Sequence, residues 1–521
     1  MKKYFNPLNS VYAIGITLTT LVAFGIVGRE FSFLIAALYV GYIAISPAQK
    51  GTQLFLALIP FFIALPITDS FDNFNTWRLC LVVLGIRWAF EKNRLLPMVA
   101  TANSVARIKE FISNFRLEVA GMVFLALSAL SILVGIDYEG GMLRLIYLVN
   151  AAMLFIIVRS LIAEKPPLLM DFSRSFLLGA VIAVVFGYVQ FMSAYFAPAW
   201  VFHYWWGAEV SVAQYGQVWG NITTNQGNTW FSYSGGTLRL RMFSLFPDSH
   251  TFPMYIVMAL PALFALLYAK FGDALLFIGG ARISKKTIVY LAVGIALLFL
   301  PLILSGTRGI WLASLCPLAL AALLWWTHNG KPYAKAIVML ILLFLLLVPV
   351  YFAISLFPQF QDSEFSASAS LGRIRSLIDF GETSNAGRIS IWTTTISYVA
   401  QQPLWGIGLA NYPLILSESP TASLAGSSAH NLYLHIAAVS GIPALVAALW
   451  FAAELVLRGL AWVRRMPTNA ESVYQVGVLF SLAWITGYLM TDAALFDERA
   501  LLGFLAMSGM SAGLFVARKI Q

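Results

Sequence analysis

A histidine and three arginines stand where they could act on an anionic substrate. His430 lies in Ala429-His430-Asn431-Leu432-Tyr433, where a long polar stretch gives way to an apolar run. An imidazole that titrates near neutrality suits a general base, although a lone histidine is more often structural. Arg308 occupies the tight turn Ser305-Gly306-Thr307-Arg308-Gly309-Ile310-Trp311 between two apolar runs, where a charge close to a bilayer is unfavourable without an anionic partner. Arg241 has a similar place before Phe243-Ser244-Leu245-Phe246-Pro247, and Arg388 opens the stretch from Gly387 to Trp392. A guanidinium is always charged and presents a planar fork matched to phosphate or carboxylate oxygens, so these positions fit a clamp on an anion. The competing assignment is pairing with Asp362, Glu364, Asp379 or Glu382, and it weighs most for Arg373 and Arg375.

Other titratable residues carry weaker signals. His250, in Pro247-Asp248-Ser249-His250, is a second candidate base or ligand-binding group. His435 lies five residues beyond His430, about 140° around a helix, so the two do not face one metal. Asp69 and Asp72 lack the spacing of an Asp-x-Asp pair and read as solvated loop residues. Cys80 and Cys316 both lie within apolar runs and are expected to be buried thiols, with no disulfide framework or zinc spacing. No Gly-rich phosphate loop ending in Lys and Ser or Thr is present, which argues against ATP-driven transport.

The elements that must position these residues follow from composition. The chain has 521 residues, 60% hydrophobic and 11% charged, with a mean hydropathy of +0.80. A soluble domain carries about a quarter of its residues as charges, so a soluble enzyme is excluded. Apolar runs near the spanning length of about 20 residues recur along the chain. They predict an all-α polytopic membrane bundle of about fourteen helices, with twelve as the alternative count. The spans begin near residues 10, 30, 52, 76, 117, 142, 172, 252, 287, 309, 336, 433, 474 and 500, and those at 52 and 76 are short. Met1-Lys2-Lys3 precedes the first run with no small-residue cleavage site after it, so that run is expected to remain as a helix.

With both termini on the cytoplasmic side, this count puts every lysine inside: Lys2, Lys3, Lys50, Lys92, Lys109, Lys165, Lys270, Lys285, Lys286, Lys331, Lys335 and Lys519. The net charge of +10 is therefore a topological signal, and nucleic acid is not an expected partner. Residues 91–116, with Lys92, Arg94, Arg107, Lys109 and Arg116, read as a cytoplasmic loop or surface helix against anionic head groups. The outer face keeps only arginines: Arg29, Arg144, Arg239, Arg241, Arg308, Arg373, Arg375, Arg388 and Arg499. The expected divisions are N-terminal membrane helices over 1–196, a first outer loop over 197–251, and central helices over 252–356. A large outer loop over 357–432 and C-terminal helices over 433–521 complete the chain. His203, Tyr204, Trp205 and Trp206 in the first loop suit an interfacial aromatic belt or a stacking platform for sugars.

Taken in order, five pieces resemble the O-antigen ligase and polymerase superfamily, polytopic GT-C-type transferases of lipid-linked glycans. They are Arg241 with Phe246-Pro247, Ser305 to Gly309 with Trp311, Gly387-Arg388 to Trp392, Pro403-Leu404 with Gly406 and Gly408, and His430-Asn431 with Gly441. The resemblance covers residues 239–450. It implies transfer of a glycan from an undecaprenyl diphosphate carrier to an acceptor hydroxyl at the periplasmic face of the bacterial inner membrane, with no nucleotide sugar and no obligatory metal or other cofactor. His430 matches the family's general base, while Arg241 and Arg308 match its diphosphate-binding arginines. Arg388, Asn431 and His250 are further expected substrate contacts. The acceptor on the preferred reading is another lipid-linked repeat, which makes the protein a polymerase working with or without a chain-length regulator. The alternatives are transfer to lipid A core or to protein, and, in another class, a flippase or transporter of lipid-linked oligosaccharide. A transporter would distribute charge through its spans, whereas here the candidate groups gather at one face.

Overall fold

The computed structural model describes residues 6–67, 74–91, 115–225, 230–234, 237–272, 284–327, 329–354, 357, 359–360, 383–416 and 428–519. Lys2, Lys3, Asp69, Asp72, Lys92, Arg94, Arg107, Lys109, Arg373, Arg375, Asp362, Glu364, Asp379 and Glu382 lie outside the described residues.

A bilayer core offers no water to unpaired backbone groups, and a helix pairs them within one segment. The chain is an all-α polytopic membrane bundle, and each of the predicted spans falls on a helix or a broken helix. Eight described helices are long and apolar enough to cross a membrane: Arg116–Val134, Tyr138–Glu164, Leu168–Ser193, Thr251–Phe271, Arg308–Trp325, Lys331–Ile354, Leu432–Arg465 and Glu498–Ala517. Pro7–Ala23, Phe31–Ile45 and Ile288–Leu304 are shorter apolar helices. Between the helices Leu168–Ser193 and Thr251–Phe271, the chain forms short helical turns and an antiparallel hairpin, Phe231–Ser234 against Thr237–Leu240. There Trp206 is buried and stacked on Phe202, and Trp230 is buried and stacked on Phe243. Tyr204 stands exposed.

The span expected from residue 52 is not one continuous helix. Ala48–Leu58 has 11 residues, about 16 Å of rise, roughly half the thickness of a hydrocarbon core. A 3-10 turn, Ile59–Phe61, follows, and the chain then runs non-helical through the buried Ile63, Ala64 and Leu65. Such backbone survives at depth only where protein satisfies it. Ala64 N–H donates to Ala213 O at 3.0 Å, Leu65 N–H to Phe74 O at 2.9 Å and Thr76 N–H to Ile63 O at 3.0 Å. The Phe62 carbonyl accepts from Arg499 Nη2 at 2.7 Å. Arg499 is fully buried and also donates to Leu245 O and Gln214 Oε1, so its cation braces this broken segment. Arg144 likewise donates to a backbone carbonyl, that of Phe496, at 3.2 Å.

Lipid is as apolar as leucine, so helices associate through close packing on small residues. Glu498–Ala517 lies along Tyr138–Glu164 in this way. A Cβ added to Gly513 would stand 2.6 Å from Ile162 Cβ and 2.7 Å from Arg159 O. Thr251–Phe271 packs beside Ala470–Tyr488 and Glu498–Ala517. Cys80 is buried as expected, but Cys316 is exposed. It opens the helix Cys316–Trp325, whose outward side is apolar and unburied, so an apolar run did not imply a protein interior.

Four helices show a consistent polarity. His250 precedes Thr251–Phe271 and Lys270 lies in its last turn, about 30 Å away along the axis. Lys285 opens the helix that ends at Leu304 before the Arg308 turn, and Arg464 and Arg465 close the helix that starts just after His430. Lys519 follows the helix that Asp497 caps.

Candidate active site at the helix ends

Two loops and a turn build one side of the candidate site. Arg241 leaves the hairpin with its N–H bonded to Trp230 O at 2.8 Å, and Met242 N–H donates to Leu304 O at 3.0 Å. These bonds lay the segment from Arg241 to His250 against the turn from Ser305 to Thr307. Gly306 takes a φ of +59°, a conformation that glycine adopts without penalty. Arg241 Nε donates to Ser305 O at 3.0 Å and Nη2 to Thr307 Oγ1 at 3.1 Å. The Thr307 hydroxyl donates to Ser249 O at 2.6 Å, so one side chain ties both loops together. Arg308 follows at the first helical position, half-buried. Trp311 Nε1 donates to Leu302 O at 3.1 Å and pins this short helix to the preceding one.

The opposite side comes from the kinked helix Leu432–Arg465. Asn431 caps it, its Oδ1 accepting from Leu434 N–H at 3.1 Å, so this expected substrate contact has a structural use. Leu432 N–H donates to Leu489 O at 2.9 Å, fixing the start of the helix to the end of Ala470–Tyr488. Two turns on, Gly441 breaks the helix with a φ of +85°. A Cβ there would lie 2.0 Å from Leu404 O. Into the break fits the Pro403 to Gly408 turn: Ile442 N–H donates to Pro403 O and Ile407 N–H to Ala438 O, each at 2.8 Å. The two glycine-bearing pieces singled out in the sequence are thus the two halves of one contact.

Helical spacing brings Arg388 towards His430. It lies in the helix Thr383–Gln401, one turn before Trp392, and residues four apart share a face. Trp392 Nε1 donates to Ala429 O at 2.8 Å, next to His430. His430 is half-buried with a φ of +45°, an uncommon left-handed conformation for a residue with a side chain. Its N–H donates to Ser428 Oγ at 3.2 Å.

His250 and Asp492 close the cluster. Asp248 Oδ1 accepts from the N–H groups of His250 and Thr251, at 2.9 and 2.8 Å, and so caps the helix Thr251–Phe271. The His250 ring Nδ1 is hydrogen-bonded to Asp492 Oδ2, and the Tyr488 hydroxyl donates to the His250 carbonyl at 3.3 Å. Burial raises the Asp492 carboxyl, but the charge and hydrogen bond of His250, with His430 and Arg388, hold it down to about 2. Burial lowers the His430 imidazole below its ordinary value. Asp492 and Asp248 oppose that shift, while Arg388 and His250 reinforce it.

Arg241 and His250 from one loop, Arg308 from the turn, Arg388 from its helix and His430 thus come to one cluster of helix ends. Asp492 and Asp248 were not among the expected residues. Asp492 in Thr491-Asp492 stands between two apolar runs, the same border position that drew attention to Arg308. The cluster combines guanidinium groups for an anion with the half-buried His430 imidazole, whose pKa burial lowers.

No curated protein matches this chain. Residues 293–449 match the family model described as O-antigen ligase. The matched stretch contains Arg308, Arg388, His430, Asn431 and Gly441, and supports the O-antigen ligase and polymerase superfamily as the family of this multi-pass membrane protein.

Proposed function

We propose that this protein transfers a glycan from an undecaprenyl diphosphate carrier to an acceptor sugar hydroxyl, at a site facing the periplasm of a bacterial inner membrane. The observation that carries the reading is the convergence of Arg241, Arg308, Arg388 and His430 at one set of helix ends, opposite the lysine-bearing ends of the same helices. The guanidinium groups bind the diphosphate and oppose the negative charge that builds on it as the bond to the anomeric carbon breaks. A His430 ring nitrogen takes the proton of the acceptor hydroxyl as its oxygen attacks that carbon. The oxygen–carbon bond forms, the carbon–phosphate-oxygen bond breaks, and the carrier diphosphate leaves with the electron pair. In-line attack inverts the anomeric centre.

On the preferred reading the acceptor is a second lipid-linked repeat. Purified protein in liposomes with the lipid-linked repeat alone should form longer chains, resolved as a ladder by gel electrophoresis. His430→Ala should lower the rate about 10²- to 10⁴-fold, the usual contribution of a positioned base, with carrier binding retained. Transfer only when lipid A core or a protein acceptor is added would overturn the polymerase assignment. Carrier movement across the bilayer without a new glycosidic bond would overturn the transferase.

A further inference from the structure

Within the cluster of helix ends, the expected base and the arginine clamp leave the buried pair of His250 and Asp492 without a task. His250 and Asp492 are 8% and 7% exposed, come from segments far apart in the sequence and are hydrogen-bonded side chain to side chain. Each is held from its own side. Asp248 fixes the backbone of His250, and the Tyr488 hydroxyl grips its carbonyl. Asp492 follows Thr491, whose N–H donates to Tyr488 O at 2.9 Å. A buried carboxylate is unfavourable unless it is paired and hydrogen-bonded, so such a pair beside a reaction site needs an explanation.

We propose that His250 and Asp492 are a positioning pair for His430. The His250 ring holds the Asp492 carboxylate in one orientation facing His430, where it stabilises the imidazolium formed when His430 takes the acceptor proton. The inference rests on the transfer reaction proposed above. The groups that face this corner are Asp492 from the segment after Ala470–Tyr488, Tyr488 itself, Arg388 from Thr383–Gln401, and Asp248, His250 and Arg241 from the loop before Thr251. His435 lies on the helix that His430 precedes. The Leu432 N–H bond to Leu489 O, at 2.9 Å, sets the segment that carries His430 beside the one that carries Asp492. There the Asp492 carboxylate opposes the lowering of the His430 pKa by burial, and His250 acts in the opposite sense.

That opposition supplies the test. Asp492→Asn removes the negative charge and should lower kcat about 10- to 100-fold, with the donor KM within about threefold. The acid limb of its pH–rate profile should move down by about one unit, the low end of the effect of a nearby opposite charge. His250→Leu removes the holder and leaves the carboxylate unshared. It should lower kcat about tenfold and move the acid limb up. His250→Asn offers an amide N–H near the position of Nδ1 and should restore kcat to within about threefold of the parent. A merely structural pair would lose rate in both variants with the limb unmoved or moved one way, and that result would overturn the proposal. If the parent protein itself makes no glycosidic bond, the transferase reading fails and takes this inference with it. If the parent is active and the two limbs do not part, the inference alone fails.

Discussion

Replacing Thr307 by valine tests whether the arginine turn is held in place by the bonds that cross it. Thr307 is 2% exposed, donates to Ser249 O at 2.6 Å and accepts from Arg241 Nη2 at 3.1 Å. Valine keeps the shape and loses both bonds. Losing a hydrogen bond at a buried neutral acceptor costs about 1–3 kcal/mol, and one from a charged donor about 1.5–3 kcal/mol. Arg241 keeps its bond to Ser305 O at 3.0 Å and is only half-buried, so part of the second loss is recovered. A total of about 2–4 kcal/mol is expected, shared between folding and the placement of the guanidinium. If 1–2 kcal/mol falls on donor binding, the donor KM rises roughly 5- to 30-fold. The assay is the initial rate against donor concentration in proteoliposomes, paired with thermal unfolding of the same preparation. Thr307→Ser retains the hydroxyl and should stay within about threefold of the parent. A valine variant with parental KM and parental unfolding temperature, or a serine variant as impaired as the valine one, would refute the reasoning.

Three further outcomes are expected. Arg308→Lys should lower the transfer rate by about tenfold or more, because a point charge does not reproduce the fork; a parental rate at saturating donor would remove Arg308 from the clamp. Gly441→Ala should destabilise the folded chain by at least about 1–3 kcal/mol, the penalty of a positive-φ extended conformation open essentially to glycine alone, since its Cβ would also meet Leu404 O. An unfolding temperature unchanged from the parent would contradict the interlock of the Pro403 to Gly408 turn. The acid limb of kcat/KM should lie below the ordinary histidine value of about 6.5. Burial disfavours the charged His430 ring, so the base is neutral above its lowered folded pKa and activity is lost as pH falls through it. By linkage the same shift weakens the fold as pH drops below the unfolded value of about 6.5; an acid limb above that value would count against His430 as the base.

What the sequence made legible follows from how each signal is encoded. Apolar runs report segments of backbone that must pair internally, so the helices could be read with little more than length and hydropathy. The reading faltered after Ala48–Leu58, where a continued helix is replaced by pairing to other segments: Phe74, Ala213 and Arg499 satisfy a stretch that no local pattern marks. Charges at the borders of apolar runs were equally visible, since such positions are unfavourable unless used. That reasoning placed Arg241, Arg308, Arg144 and Arg499 alike on the outer face, yet Arg499 braces a broken segment and Arg144 binds the Phe496 carbonyl.

The difference between those two sets lies in packing, which a single chain does not display. Arg241 and His430 share a site because Thr307 bonds across two loops and because Leu432 joins Leu489. Asp492 is the sharpest case. As a lone carboxylate in Thr491-Asp492 it has no motif around it, and its partner His250 is 242 residues away. Border position gave the right class of residue, and only the meeting of helix ends gave the pairing. The chemistry proposed here therefore depends less on any one motif than on how closely the helices Thr251–Phe271 and Ala470–Tyr488 pack, since that contact sets the His250 to Asp492 bond. A Cβ added at Gly477, on that interface, would stand 2.7 Å from Pro261 Cα, so the approach is already as near as the backbone allows.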